Sequence, residues 1–124
     1  MDITPLVAEG QQVIRSYAAG KFVISGVEHR NSVIVFPTRV KQWGYTGGAS
    51  DLSVDDFQFL QDCVQDIDVL LVGCGARGEF LPGLKKSLRD MGLNADFMDT
   101  GAACRTYNVL MAEGRRVAAA LIPL

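Results

Sequence analysis

Two segments of this 124-residue chain carry residue types and spacings that could do chemistry. The first is Gly73-Cys74-Gly75-Ala76-Arg77-Gly78, which satisfies GxGxxG after an apolar run. Asp99 follows about 20 residues past the third glycine, where a dinucleotide-binding unit places the carboxylate that holds a ribose. The second segment is Asp99-Thr100 with Cys104, Arg105, Thr106, Asn108, Glu113 and Arg115. Cys104, beside Arg105 in the first turn of an expected helix, has surroundings that lower a thiol pKa and yield a reactive thiolate. If Arg105 and that helix start face the Gly73 to Gly78 loop, the two segments make a small anion-binding crevice at the ends of adjacent strands.

Each chemical reading meets a structural one in the same residues. Pro82 suits the first turn of a helix, which then starts well past Gly78 instead of at it, and little chain follows Asp99 to complete a dinucleotide-binding domain. The glycines then answer to close backbone packing. A catalytic thiol needs a base, and the one histidine, His29, falls in an expected surface turn of the first half. Ala102-Ala103-Cys104 also reads as small residues in tight helix packing. No catalytic residue is assigned. One histidine and three scattered cysteines offer no zinc spacing, so neither metal nor cofactor is expected. The polar groups near the end of the chain also admit a structural network, with Glu113 joined to Arg115 or Arg105 and Asp99 or Thr100 capping the helix.

The elements that must position these residues follow from periodicity. Gln12–Ala18, Lys21–Ser25, Ser32–Phe36 and Val40–Tyr45 read as strands, and Gly26–Asn31 as a polar turn. After Asp51 the pattern changes: Ser53 is a good cap with Asp56 three residues on, and Val54, Phe57, Leu60, Cys63 and Val64 predict an amphipathic helix from Ser53 to about Gln65. Val69–Val72, a helix from Pro82 to Met91 stopped by Gly92, and Asn94–Met98 make a βαβ unit. A helix over Ala102–Glu113, ended by Gly114, leads to a buried strand over Val117–Pro123. At 100° per residue Ala103, Tyr107, Leu110 and Met111 form its core stripe, with Arg105, Thr106, Asn108 and Glu113 opposite, interrupted by Ala102 and Val109.

Composition sets the outer bounds. With 48% apolar and 21% charged residues, no repeats and no linker, residues 1–124 are expected to form one globular domain. Twelve basic against fourteen acidic residues, interspersed, give no footprint for nucleic acid. Val117 to Leu124 is too short to span a bilayer, so an integral membrane protein is not expected, and Met1-Asp2-Ile3-Thr4-Pro5 lacks the pattern of a signal peptide. Three cysteines without CxxC spacing favour a reducing compartment, and the expected location is the cytoplasm.

The blocks Val69-Leu70-Leu71-Val72-Gly73-Cys74-Gly75, Met98 through Leu110 (MDTGAACRTYNVL) and Glu113 through Pro123 (EGRRVAAALIP) resemble the Mth938-like family, the DUF498/DUF598 group, over about Tyr17 to Pro123. The resemblance implies an α/β fold of three layers, a central mixed sheet flanked by helices with a small additional β layer. Its signature maps onto Gly73, Gly75, Asp99, Thr100, Cys104, Arg105, Thr106, Asn108, Glu113 and Arg115, none with an agreed catalytic role. A mitochondrial relative in that family assists assembly of respiratory complex I, and no enzymatic activity is established for the group. The expected function is therefore a non-enzymatic accessory or assembly protein working through protein partners. The alternative is a small-molecule or nucleotide-binding protein using the Gly73–Gly78 loop and the Asp99–Arg105 helix start, and a homo-oligomer subunit is a third reading.

Overall fold

The computed structural model describes residues 10–124; the expectation drawn from Met1 to Pro5 lies outside them. Eight strands and two α-helices follow one another: β1 (Ile14–Ala18), β2 (Lys21–Ile24), β3 (Val27–Arg30), β4 (Val33–Val35), β5 (Val40–Gln42), β6 (Val69–Cys74), α1 (Pro82–Met91), β7 (Ala95–Met98), α2 (Thr100–Ala112) and β8 (Val117–Ile122). Between β5 and β6 the chain coils through 3-10 turns over Ala49–Asp51 and Val54–Asp66. No helix among the described residues is long and apolar enough to cross a membrane.

Strands β4, β6 and β8 are buried along their whole length and must find backbone partners within a sheet, and the less buried β5 and β7 pair along its edges. They form a five-stranded mixed sheet in the order β5-β4-β8-β6-β7. β8 runs parallel to β6, with Val69 opposite Val117 and Cys74 opposite Ile122, and antiparallel to β4. β6 and β7, joined through α1, are parallel. Period-two alternation divides the side chains between two cores. Leu70, Val72, Ala118 and Ala120 meet Phe57, Leu60, Leu84 and Leu88 on one side. Leu71, Ala119 and Leu121 meet Ala103, Cys104, Tyr107 and Met111 on the other, together with Ile14, Phe22 and Ile24 of the small antiparallel sheet β1-β2-β3. The result is three layers: α1 with the 3-10 coil, the mixed sheet, and α2 beside the small sheet. Ala118, Ala119 and Ala120 are fully buried in the middle strand, with Ala119 facing α2 and Ala118 and Ala120 facing the opposite core.

Two sequence expectations are corrected here. Gly26–Asn31 is not a turn: Val27–Arg30 is β3, and the reversal is confined to Ser25 and Gly26, whose φ values of +48° and +85° fit a two-residue hairpin with both central residues left-handed. The segment is polar because β3 is the outer strand of the small sheet, and Glu28 forms ion pairs with Lys21 at 3.6 Å and Arg30 at 3.1 Å. His29 accordingly sits on a strand opposite Phe22.

The second correction concerns Val54–Asp66, which coils as 3-10 turns instead of an α-helix. Val54, Phe57, Leu60 and Cys63 recur at every third residue, a spacing that stacks on one face at three residues per turn and drifts round an α-helix. Phe57 and Leu60 are fully buried on that face, and Asp56 accepts a hydrogen bond from the Ser53 backbone N–H at 2.9 Å, as the cap pattern anticipated. Trp43 anchors the coil from outside, donating its indole N–H to the Asp56 carbonyl at 2.8 Å. If three-residue periodicity sets the face, Phe57→Ala should cost about 3–5 kcal/mol in urea unfolding, whereas Phe59→Ala, 42% exposed, should cost under about 1 kcal/mol. Equal costs would refute that face assignment.

Candidate functional site

The end of β6, the start of α2 and the end of β8 converge, bringing Gly73, Cys74, Gly75, Asp99 and Thr100 together as the sequence proposed. Direct hydrogen bonds join the loop to the helix start. Thr100 donates its N–H to the Gly75 carbonyl at 2.8 Å, and its hydroxyl accepts from the Gly75 N–H at 2.8 Å while donating to the Ile122 carbonyl at 2.5 Å. One buried hydroxyl thus ties two adjacent strands to a helix. Asp99 is the N-cap, its carboxylate accepting from Ala102 N–H at 2.8 Å.

This contact explains the glycine spacing. A Cβ on Gly73 would stand 3.0 Å from both the Leu121 side chain and the Thr100 hydroxyl, and 3.1 Å from the Thr100 Cα, so only glycine lets α2 approach β6 so closely. The helix that packs on the loop is α2, and α1 begins only at Pro82. A helix starting directly at the third glycine, which a dinucleotide fingerprint uses to hold pyrophosphate, is absent here.

The other polar residues of α2 reach toward the small sheet. Asn108, expected on the polar side, is 1% exposed. Its carboxamide accepts from the Ile14 N–H at 3.0 Å and donates to the Ile14 carbonyl at 2.8 Å, standing where a neighbouring strand would otherwise stand. Tyr107 donates its hydroxyl to the Gln12 carbonyl at 2.8 Å, and Arg105 donates to the Tyr17 hydroxyl at 2.7 Å. Tyr17 in turn covers the helix start: a Cβ on Gly101 would lie 2.8 Å from its oxygen. Thr106 is half-buried and Val109 is exposed. Tyr17, Gln12 and Ile14 were not singled out from sequence, and no local signal marks them, because they meet α2 only through the fold.

Cys104 has no exposed surface. Burial pushes its thiol from the usual 9.0 up to about 12, a larger effect than the opposing pull of Arg105, so the environment works against a thiolate at neutral pH. Burial likewise raises Cys74, whose Sγ lies 3.6 Å from the Val72 carbonyl. Glu113 and Arg115 are exposed at the opposite end of α2, roughly 20 Å from Thr100 at 1.5 Å per residue. The network anticipated there takes another form: among the described residues Glu113 forms no ion pair, and Arg116 instead reaches Asp68 at 2.8 Å. That bond to Arg116 holds the Asp68 carboxyl below its ordinary range.

Comparison with known proteins is informative over almost the whole chain. A family described as "Protein of unknown function (DUF498/DUF598)" matches residues 14–122. An uncharacterized protein of Rhodobacter capsulatus is 39% identical over 116 residues, covering 93% of this chain and 87% of that protein. NADH dehydrogenase [ubiquinone] 1 alpha subcomplex assembly factor 3 of Xenopus tropicalis is 34% identical over 111 residues, covering 89% of this chain; the chain spans 60% of that relative's length. The solution structure of a Mth938-like domain from Bordetella pertussis superposes with a TM-score of 0.80 at 28% identity, covering 99% of this chain and 92% of that one.

Two expectations follow from the bonds around α2. Removing the Thr100 hydroxyl isosterically (Thr100→Val) leaves the Gly75 N–H and Ile122 carbonyl buried and unpaired, and should cost about 2–4 kcal/mol in urea unfolding, most of it recovered by Thr100→Ser. Asn108→Ala should cost a similar amount. The Cys104 thiol, raised in the folded state, lends stability that is complete below about pH 9 and declines as pH rises toward about 12. Unfolding free energy should therefore fall over that window more steeply for the wild type than for Cys104→Ala, and parallel profiles would contradict the buried-thiol assignment.

Proposed function

The chain belongs to the DUF498/DUF598 family, and we propose that it is an accessory factor in the assembly of NADH:ubiquinone oxidoreductase, respiratory complex I, acting through contacts with other proteins and not through catalysis. The observation that carries the reading is the similarity to a complex I assembly factor across 89% of this chain. The chemistry of α2 supports it from another direction. Its thiol is buried and held protonated, and its polar side chains at 100, 107 and 108 are engaged with backbone groups of both sheets. What the fold offers a partner is surface.

The contact is assigned to the end of the molecule where the sequence placed its candidate residues. The chain leaves Gly75 through an exposed stretch, Ala76 to Phe80, and the Phe80 ring is 88% exposed. An aromatic ring held in water gains free energy when a partner covers it, and such rings recur among residues that dominate protein interfaces. Partner binding in this reading takes place in the cytoplasm, with Gly73, Cys74, Gly75, Asp99 and Thr100 holding the loop in position and Arg105 with Tyr17 at its border.

Deleting the gene in its host should lower complex I content on native gels several-fold, together with NADH:quinone activity, and leave partial assemblies behind. Wild-type protein and Cys104→Ala should both restore the complex, because the thiol takes no part. Phe80→Asp should fold normally and fail to restore it. Normal complex I in the deletion strain would overturn the assembly role, and full rescue by Phe80→Asp would overturn the assigned contact.

A further inference from the structure

A concavity opens at the far end of the molecule, where β8 begins, and none of the roles above uses it. Its volume is about 370 Å³, within the range that holds small ligands. The apolar part of its lining comes from Pro37 and the edge of Phe36, backed by the buried Met111 and Val117, and the charged part from Arg39, Arg115 and Arg116 with Asp66 facing them. Backbone bonds fix the walls. Phe36 and Arg39 close a tight turn through a Phe36 N–H to Arg39 carbonyl bond of 2.8 Å, while Arg115 donates its N–H to the Leu110 carbonyl at 3.0 Å and Asp68 donates to the Arg116 carbonyl.

The charges in this cavity do not cancel. Arg116 is matched by Asp68, with Asp66 also near enough to act on it. Arg39 sits over the Phe36 ring, its guanidinium carbon 4.1 Å from the ring centre, an arrangement that orders the side chain and leaves N–H groups for an anion. Neither Arg39 nor Arg115 forms an ion pair among the described residues. Three cations against Asp66 and Asp68 leave one positive charge beside an apolar floor. A ligand that complements this has one negative charge and a compact apolar body.

We infer that this cavity binds a small organic monocarboxylate, its carboxylate held by Arg39 and Arg115 and its hydrocarbon or aromatic body lying against Pro37 and the exposed edge of Phe36. A planar carboxylate accepts two parallel N–H bonds from a guanidinium, and burying the attached body adds the apolar gain. The site lies at the end of α2 opposite the glycine loop, so the inference stands independently of the assembly reading.

Titrating the full chain, labelled with ¹⁵N, tests it with sodium benzoate and sodium octanoate as probes and benzyl alcohol as the neutral control. Saturable amide shifts should appear at Thr38, Arg39 and Gly114 to Val117, with a Kd of about 1 mM or below for at least one acid, and the alcohol should bind about tenfold more weakly or not at all. Arg39→Gln and Arg115→Gln should each weaken the acid about fivefold or more without lowering the melting temperature, while Lys86→Gln on the outer face of α1 should change nothing. Absence of saturable shifts up to about 20 mM, equal binding of the alcohol, or shifts confined to other residues would each overturn the inference.

Discussion

The structure depends on one constraint at α2: a single helix must satisfy buried backbone groups belonging to two different sheets. Strands β6 and β8 end beside its first turn, and β1 passes beside its middle without a strand partner on that side. Left alone, the Gly75 N–H, the Ile122 carbonyl and both polar groups of Ile14 would be buried and unpaired, at about 1–3 kcal/mol each. The Thr100 hydroxyl and the Asn108 carboxamide meet those needs, each as donor and acceptor at once. Their positions fix other choices. Gly73 must lack a side chain because Thr100 sits against it, and Gly101 must lack one because Tyr17 does. Among the described residues, no buried side-chain nitrogen or oxygen is left without a partner.

That constraint accounts for what could and could not be read from the sequence. The strands of the mixed sheet, α1 from Pro82 and the Asp99 cap were legible because each has a local cause: an apolar run, a fixed proline φ, a carboxylate three residues before the N–H that it accepts. Cys104 and the GxGxxG segment were ambiguous because their types fit two physical situations, and distance decides between them. The pattern of α2 set Asn108 opposite the core stripe, on a face broken by Ala102 and Val109, and for a similar reason left open what it packs against. Helical periodicity tells which residues share a face, but a polar residue can be buried when a backbone from 94 residues away needs its amide. The 3-10 coil differs in kind: its three-residue repeat was present in the sequence and was fitted to the commoner helix.

The arrangement also bears on how the family residues divide. Thr100, Cys104 and Asn108 lie inside, and their side chains act on the protein's own backbone and core. Arg105 and the Gly75 to Phe80 stretch form the border of one end, while Glu113 and Arg115 belong to the other, beside the arginine-lined cavity. A protein that works by contact can present two separate surfaces in this way, one for a macromolecular partner and one for a small ligand, because α2 spans the distance between them as a rigid element. The proposed assembly role draws on the first surface and leaves the second available.

The claim that α2 fastens both sheets through Thr100 and Asn108 is tested most directly by native-state hydrogen exchange at two amides, Gly75 and Ile14. The account predicts that both exchange only through global unfolding, with opening free energies equal to that of the whole protein and the same denaturant dependence. Exchange of either amide through local opening, several kcal/mol below the global value and insensitive to denaturant, would contradict it.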